Sequence, residues 1–71
     1  MSDQTFTVSG LTCDHCVHAV TTEVAALPGV RTVTVDLQAG GISTLHVSAE
    51  SPVADDRIAE ALDEAGDYRL A

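Results

Sequence analysis

Polar and apolar residues alternate along several short stretches of this chain, and two intervening stretches carry apolar residues spaced by three and four. Thr5-Phe6-Thr7-Val8 alternates and predicts a half-buried strand. From Asp14 to Leu27, the residues Val17, Val20, Val24 and Leu27 form one helical stripe, which Pro28-Gly29 ends. Thr32-Val33-Thr34-Val35-Asp36-Leu37 alternates again, with Val33, Val35 and Leu37 on the dry side. Ala39-Gly40-Gly41 predicts a turn that returns the chain as a hairpin into a strand from Ser43 to Ser48, with Leu45 and Val47 inward and His46 outward. Ser51 is expected to cap a second helix, with Pro52 at its first helical position. Asp55 and Asp56 then suit the positive end of that helix. Val53, Ile58, Ala61, Leu62 and Ala65 make its buried stripe, Gly66 ends it, and Tyr68-Arg69-Leu70 is a last short strand.

The predicted order is β-α-β-β-α-β. Each strand has one dry face, and each helix has a single apolar stripe that can cover it. The expected fold class is α+β, a ferredoxin-like sandwich with a four-stranded antiparallel sheet and two helices on one face. The 71 residues read as one domain, 1–71. A chain of this size buries only about 60% of its unfolded surface. In this layout the loop after the first strand and the loop before the last strand lie at the same end of the sheet.

Charge narrows the function classes. The formal net charge is −8, from three arginines, no lysine and eleven acidic residues. Phosphate contacts need a basic face, so nucleic-acid binding is excluded, and so is attraction to anionic membrane surfaces. The acidic surface is suited to solubility and to steering toward a basic patch on a partner. No apolar run approaches the roughly 18–20 residues of a membrane span. Met1-Ser2-Asp3-Gln4 has neither the basic region nor the apolar region of a secretory signal, so the expected location is cytoplasmic.

Both cysteines and two of the three histidines fall in Gly10-Leu11-Thr12-Cys13-Asp14-His15-Cys16-Val17-His18. In a reducing compartment such a pair points to metal binding or catalysis rather than to a structural disulfide. At a strand-to-helix junction, Cys13 lies in the loop and Cys16 in the first helical turn, so the two sulfurs can converge on one atom. The helix N-terminus favours thiolate, the form that binds metal. Thiol–disulfide catalysis uses the same motif, but the rest of the chain has none of the larger thioredoxin pattern. Structural zinc wants four ligands, usually two such pairs, and there is only one pair here. His15 lies inside the Cys-x-x-Cys loop and could join the cysteines only with strain. Thiolates select soft ions, Cu(I) foremost. Two thiolates satisfy Cu(I) and leave one side open, where an incoming third thiolate can take the metal.

Gly10-Leu11-Thr12-Cys13-Asp14-His15-Cys16 resembles the G-M-T-C-x-x-C loop of the heavy-metal-associated (HMA) domain. Leu27-Pro28-Gly29-Val30 resembles that family's helix exit, and Glu64-Ala65-Gly66 its approach to the last loop. The resemblance spans nearly the whole chain and is nearest to single-domain bacterial copper chaperones of the CopZ type. It implies a ferredoxin-like fold and Cu(I) held by Cys13 and Cys16. It also implies delivery to the metal-binding domain of a copper-transporting P-type ATPase, and no enzymatic activity. Two positions depart from the family pattern. Leu11 stands where relatives carry a core-facing methionine and is expected to pack in its place. Asp67 follows Gly66, where relatives often have Tyr, Lys or His, and Tyr68 comes one residue later. A carboxylate beside an anionic copper dithiolate is unfavourable, which leaves two arrangements: Asp67 turned away, or Tyr68 reaching the site.

His15 and His18 share a helix face away from the Val17, Val20 and Val24 stripe, so both are expected to be exposed. A proton on His15 would be felt by both sulfurs, giving it a tuning role. His18 is a weaker auxiliary candidate, and His46 is a surface residue. The open geometry also allows a copper-bridged homodimer. Rival readings are a Zn, Cd or Hg carrier on the same fold and a thiol–disulfide oxidoreductase.

Overall fold

The computed structural model describes residues Met1–Ala71. Its elements run β1 (Ser2–Ser9), α1 (Asp14–Ala25), β2 (Val30–Asp36), β3 (Ile42–Ala49), α2 (Asp55–Ala65) and β4 (Arg69–Leu70). The four strands form one sheet in the order β2-β3-β1-β4, and every neighbouring pair is antiparallel. This is the ferredoxin-like sandwich that the hydrophobic pattern predicts. No helix is long and apolar enough to cross a membrane.

The core lies between the sheet and the helices. Phe6 and Val8 of β1 and Leu45, Val47 and Ala49 of β3 meet Val20 and Val24 of α1 and Ile58, Ala61 and Leu62 of α2. Leu11, from the first loop, joins them at 1% exposure. Val33, Val35 and Leu37 face this core but are only half-buried, because β2 is an edge strand.

β1 is longer than expected at both ends, β4 begins at Arg69 and leaves Tyr68 in the loop, and three further local features depart from the expectation. β2 begins at Val30, not Thr32, and its register shifts between Val30 and Thr32. The shift is a bulge at Arg31. It lets Val30 and Val33 both pack against the core although they have opposite parity. α1 gives way after Ala25 to a turn in which the Leu27 N–H bonds to the Val24 carbonyl (3.1 Å).

The third departure corrects the start of α2. Ser51 and Pro52 do not open the helix; its N-cap is Ala54, in extended conformation and without a side-chain cap. The cause is Gln4. Its amide accepts from the Val53 N–H (2.7 Å) and donates to the Val53 carbonyl (3.1 Å), so Val53 is held as if it faced a neighbouring strand. Pro52 also biases Ser51 away from helical conformation. Val53 therefore packs on the core from the loop rather than from the helix.

Three loops gather at one end of the sheet: β1–α1, β2–β3 and α2–β4. The Gly40 N–H of the second reaches the Leu11 carbonyl of the first (3.3 Å). Gly10 of the first lies against Asp67 and Tyr68 of the third.

Candidate metal centre

The β1–α1 loop brings the cysteines together by a short series of local choices. Gly10 turns the chain out of β1 at φ +101°, and a side chain there would bring its Cβ within 2.9 Å of the Asp67 carbonyl oxygen. Leu11 then turns inward and anchors the loop in the core. Thr12 and Cys13 are left at the surface. Cys13 is the N-cap of α1, with extended backbone, and its side chain caps nothing. Its carbonyl accepts from the N–H groups of Cys16 (3.0 Å) and Val17 (3.2 Å), which starts the helix. One turn on, Cys16 is half-buried, and the two sulfurs lie 3.9 Å apart, both as free thiols.

The surroundings of Cys16 favour its thiolate. The thiol is lowered from the ordinary 9.0 to about 6. The largest cause is the polar Tyr68 hydroxyl, which favours the charged sulfur although the closest partners of that sulfur are Thr12 and Cys13. The Thr12 backbone, the Thr12 hydroxyl (3.6 Å from the sulfur) and the Cys13 backbone add to it, while burial acts in the opposite direction. The Tyr68 hydroxyl is raised in turn, chiefly by Cys16, with burial and the charge of the two cysteines adding to it.

Tyr68 is delivered by two glycines. Its ring lies against Gly10 and Gly66, where a Cβ would approach within 3.4 Å and 2.9 Å of ring carbons. Asp67 is exposed, its side chain makes no hydrogen bond or ion pair, and its carbonyl packs on Gly10. The last loop thus presents Tyr68 to the sulfurs.

Cys13 and Cys16 are thus adjacent, Tyr68 packs on Gly10 of their loop, and Leu11 anchors that loop from the core. His15 and His18 are exposed on α1, and neither side chain hydrogen-bonds to a sulfur. His46 lies on the outer face of β3, paired with Asp36 (3.2 Å), away from the cysteines. Nowhere in the chain do three His, Cys, Asp or Glu side chains converge. Thr12 is the participant that sequence reasoning passed over. Its position four residues before Cys16, across the first turn of the helix, is the signal that could have found it.

Comparison with known proteins places this arrangement in company. The heavy-metal-associated domain matches residues 5–67. The chain is 39% identical over 66 residues to the copper chaperone CopZ of Bacillus subtilis, covering 93% of each. It is 48% identical over 42 residues to the copper chaperone CopZ of Staphylococcus saprophyticus, a match that spans 59% of this chain and 62% of that relative. Among solved structures, one described as a CopZ metallochaperone superposes with a TM-score of 0.81 at 28% identity, covering 99% of this chain and all of the other.

Proposed function

Since this chain belongs to the heavy-metal-associated domain family, we propose that it is a copper chaperone. In this reading Cys13 and Cys16 hold Cu(I), and the metal passes by thiolate exchange to the metal-binding domain of a copper-transporting P-type ATPase. The observation that carries the reading is the donor set: two exposed or half-exposed sulfurs 3.9 Å apart at the mouth of α1, with no third ligand converging on them. With metal–sulfur bonds of about 2.3 Å, sulfurs this far apart subtend an angle of about 115° at the metal. That angle is close to the roughly 120° of three-coordinate copper and leaves a place for a third ligand, whereas two-coordinate copper would draw the sulfurs farther apart. Zinc could accept the angle too, but it would lack two of its four donors.

Transfer follows from the open side. An acceptor thiolate adds to the copper, and the three-sulfur complex then loses either of the chaperone's sulfurs. Copper stays Cu(I), and each sulfur that leaves takes up a proton or keeps its charge according to its acidity. A low Cys16 pKa keeps that sulfur ready to bind without deprotonation. Tyr68 and Thr12 stabilise it when it is released, which eases departure. Leu11 holds the loop, and His15, exposed between the two cysteines in sequence, is the further candidate for tuning them. Identical thiol titrations in wild type and His15→Gln would remove that last role. The acidic surface steers the chain toward a basic patch on the acceptor, and the chain works in the cytoplasm as a carrier rather than an enzyme. The same open geometry permits a copper-bridged homodimer at high copper.

The test is direct transfer. Copper-loaded chain is mixed with the isolated metal-binding domain of such an ATPase, and both are followed by NMR. Copper signatures should move to the acceptor within mixing time, without a reductant or nucleotide. Retention of copper by the loaded chain in the presence of excess acceptor would reject the carrier reading.

A further inference from the structure

The inward positions of β3 are Ser43, Leu45, Val47 and Ala49. Three are apolar. Ser43 breaks the pattern, and it is the one polar residue among the fully buried ones, at 0% exposure. A polar side chain kept on the dry face of a sheet, where an apolar one would fit the pattern, calls for a local reason.

Its hydroxyl accepts the Gln38 N–H (3.0 Å) at the start of the β2–β3 turn. The Gln38 carbonyl in turn accepts the Gly41 N–H (2.9 Å) and closes the turn. Gly40, between them, stands at φ +74° and points its N–H out of the hairpin to the Leu11 carbonyl (3.3 Å). Leu11 is two residues before Cys13. Two hydrogen bonds thus shape the turn from a buried hydroxyl, and a third, from Gly40 within that turn, ties it to the loop that carries the sulfurs. Leu11 itself is gripped from two sides, by its side chain in the core and by its carbonyl at the turn.

We propose that Ser43 is a positioning residue for the metal loop, shaping the β2–β3 turn so that its Gly40 amide fastens the backbone beside Cys13. The proposal rests on the copper-carrier reading for its consequence, slower loss of metal, but not for the hydrogen-bond relay itself. Fixing a binding loop from outside the site lowers the ordering needed when ligand binds. Ser43 touches no metal and acts only through Gln38, Gly40 and Leu11.

Two arms test it and separate the two readings. The first uses metal-free, reduced protein and amide hydrogen exchange. In wild type the Gly40 amide should be protected although its residue is exposed. Ser43→Ala should lower that protection by at least about tenfold, while Ile58→Val, a core substitution away from the turn, should leave it near wild type once compared at equal folded fraction. A Gly40 amide that exchanges freely in wild type, or equal loss in both variants, would overturn the relay whatever the protein carries. The second arm measures how fast Cu(I) passes to a chelator. Ser43→Ala should release it several-fold faster than Ile58→Val. Gly40→Ala should also accelerate release, since it keeps the amide and meets open space but strains the turn at a left-handed φ. This second variant serves if Ser43→Ala folds poorly. Loss of Gly40 protection with unchanged copper release would overturn the positioning role.

Discussion

Replacing Tyr68 with Phe removes one oxygen atom and keeps the ring between its two glycines, so it isolates the hydroxyl that faces Cys16. In wild type that hydroxyl is the largest of four contacts favouring the Cys16 thiolate, which is lowered from 9.0 to about 6 while burial opposes the change. The Tyr68 hydroxyl stands first among these contacts, so its loss should carry the midpoint upward from about 6 toward the ordinary 9.0. Tyr68→Phe should then titrate above 6 and no higher than 9.0, and the thiolate fraction at pH 7, about 90% for a midpoint of 6, should fall. The assay is the pH dependence of iodoacetamide alkylation, run in a Cys13→Ser background so that a single thiol reports. The midpoint should move upward. An unchanged or lower midpoint would show that the hydroxyl does not hold this sulfur, and the account of how the last loop serves the site would fail.

Cys13→Ser and Cys16→Ser should each abolish tight one-to-one Cu(I) binding while the apo circular dichroism and cooperative unfolding persist, because neither sulfur is part of the core cluster's fully buried set. Leu11→Ala should cost about 2–5 kcal/mol in urea unfolding, the range for truncating a fully buried leucine, and should loosen copper binding as its loop loses its anchor. The stability of the apo protein should depend on pH through Cys16. The unfolded chain keeps that thiol's proton up to about 9.0, whereas the folded chain gives it up near 6. Between these values the unfolded state holds more protons, so stability rises with pH, and the contribution is lost as pH falls through 6. Subtracting the melting temperatures of Cys16→Ser from those of wild type across pH 5.5–9 should reveal this slope, and parallel curves would contradict it.

The regular elements were legible because each carries one clean period. Val17, Val20 and Val24 could only be a helix face, and Leu45 and Val47 could only be the dry side of a strand. The cysteine pair at the mouth of α1 was legible for the same local reason. What stayed hidden depended on contacts distant in sequence. The start of α2 is set by Gln4, forty-nine residues before Val53, and no pattern of caps near Ser51 can reveal that. The extension of β2 back to Val30 needed a bulge that reverses the parity of alternation. The choice between Asp67 and Tyr68 turned on two glycines in different loops leaving room for one ring. Ser43 looked like the end of an alternating strand until its buried hydroxyl was seen bonding to the turn.

The central claim is that two sulfurs and an open side suit a soft monovalent ion held for exchange. The most direct measurement is a titration of the reduced protein with Cu(I) against a calibrated chelator, repeated with Zn(II) and followed by native mass spectrometry. The account predicts one Cu(I) per chain held far more tightly than Zn(II), with copper-bridged dimers only as copper exceeds protein. Stronger retention of Zn(II), or loss of Cu(I) to a weak chelator, would contradict it.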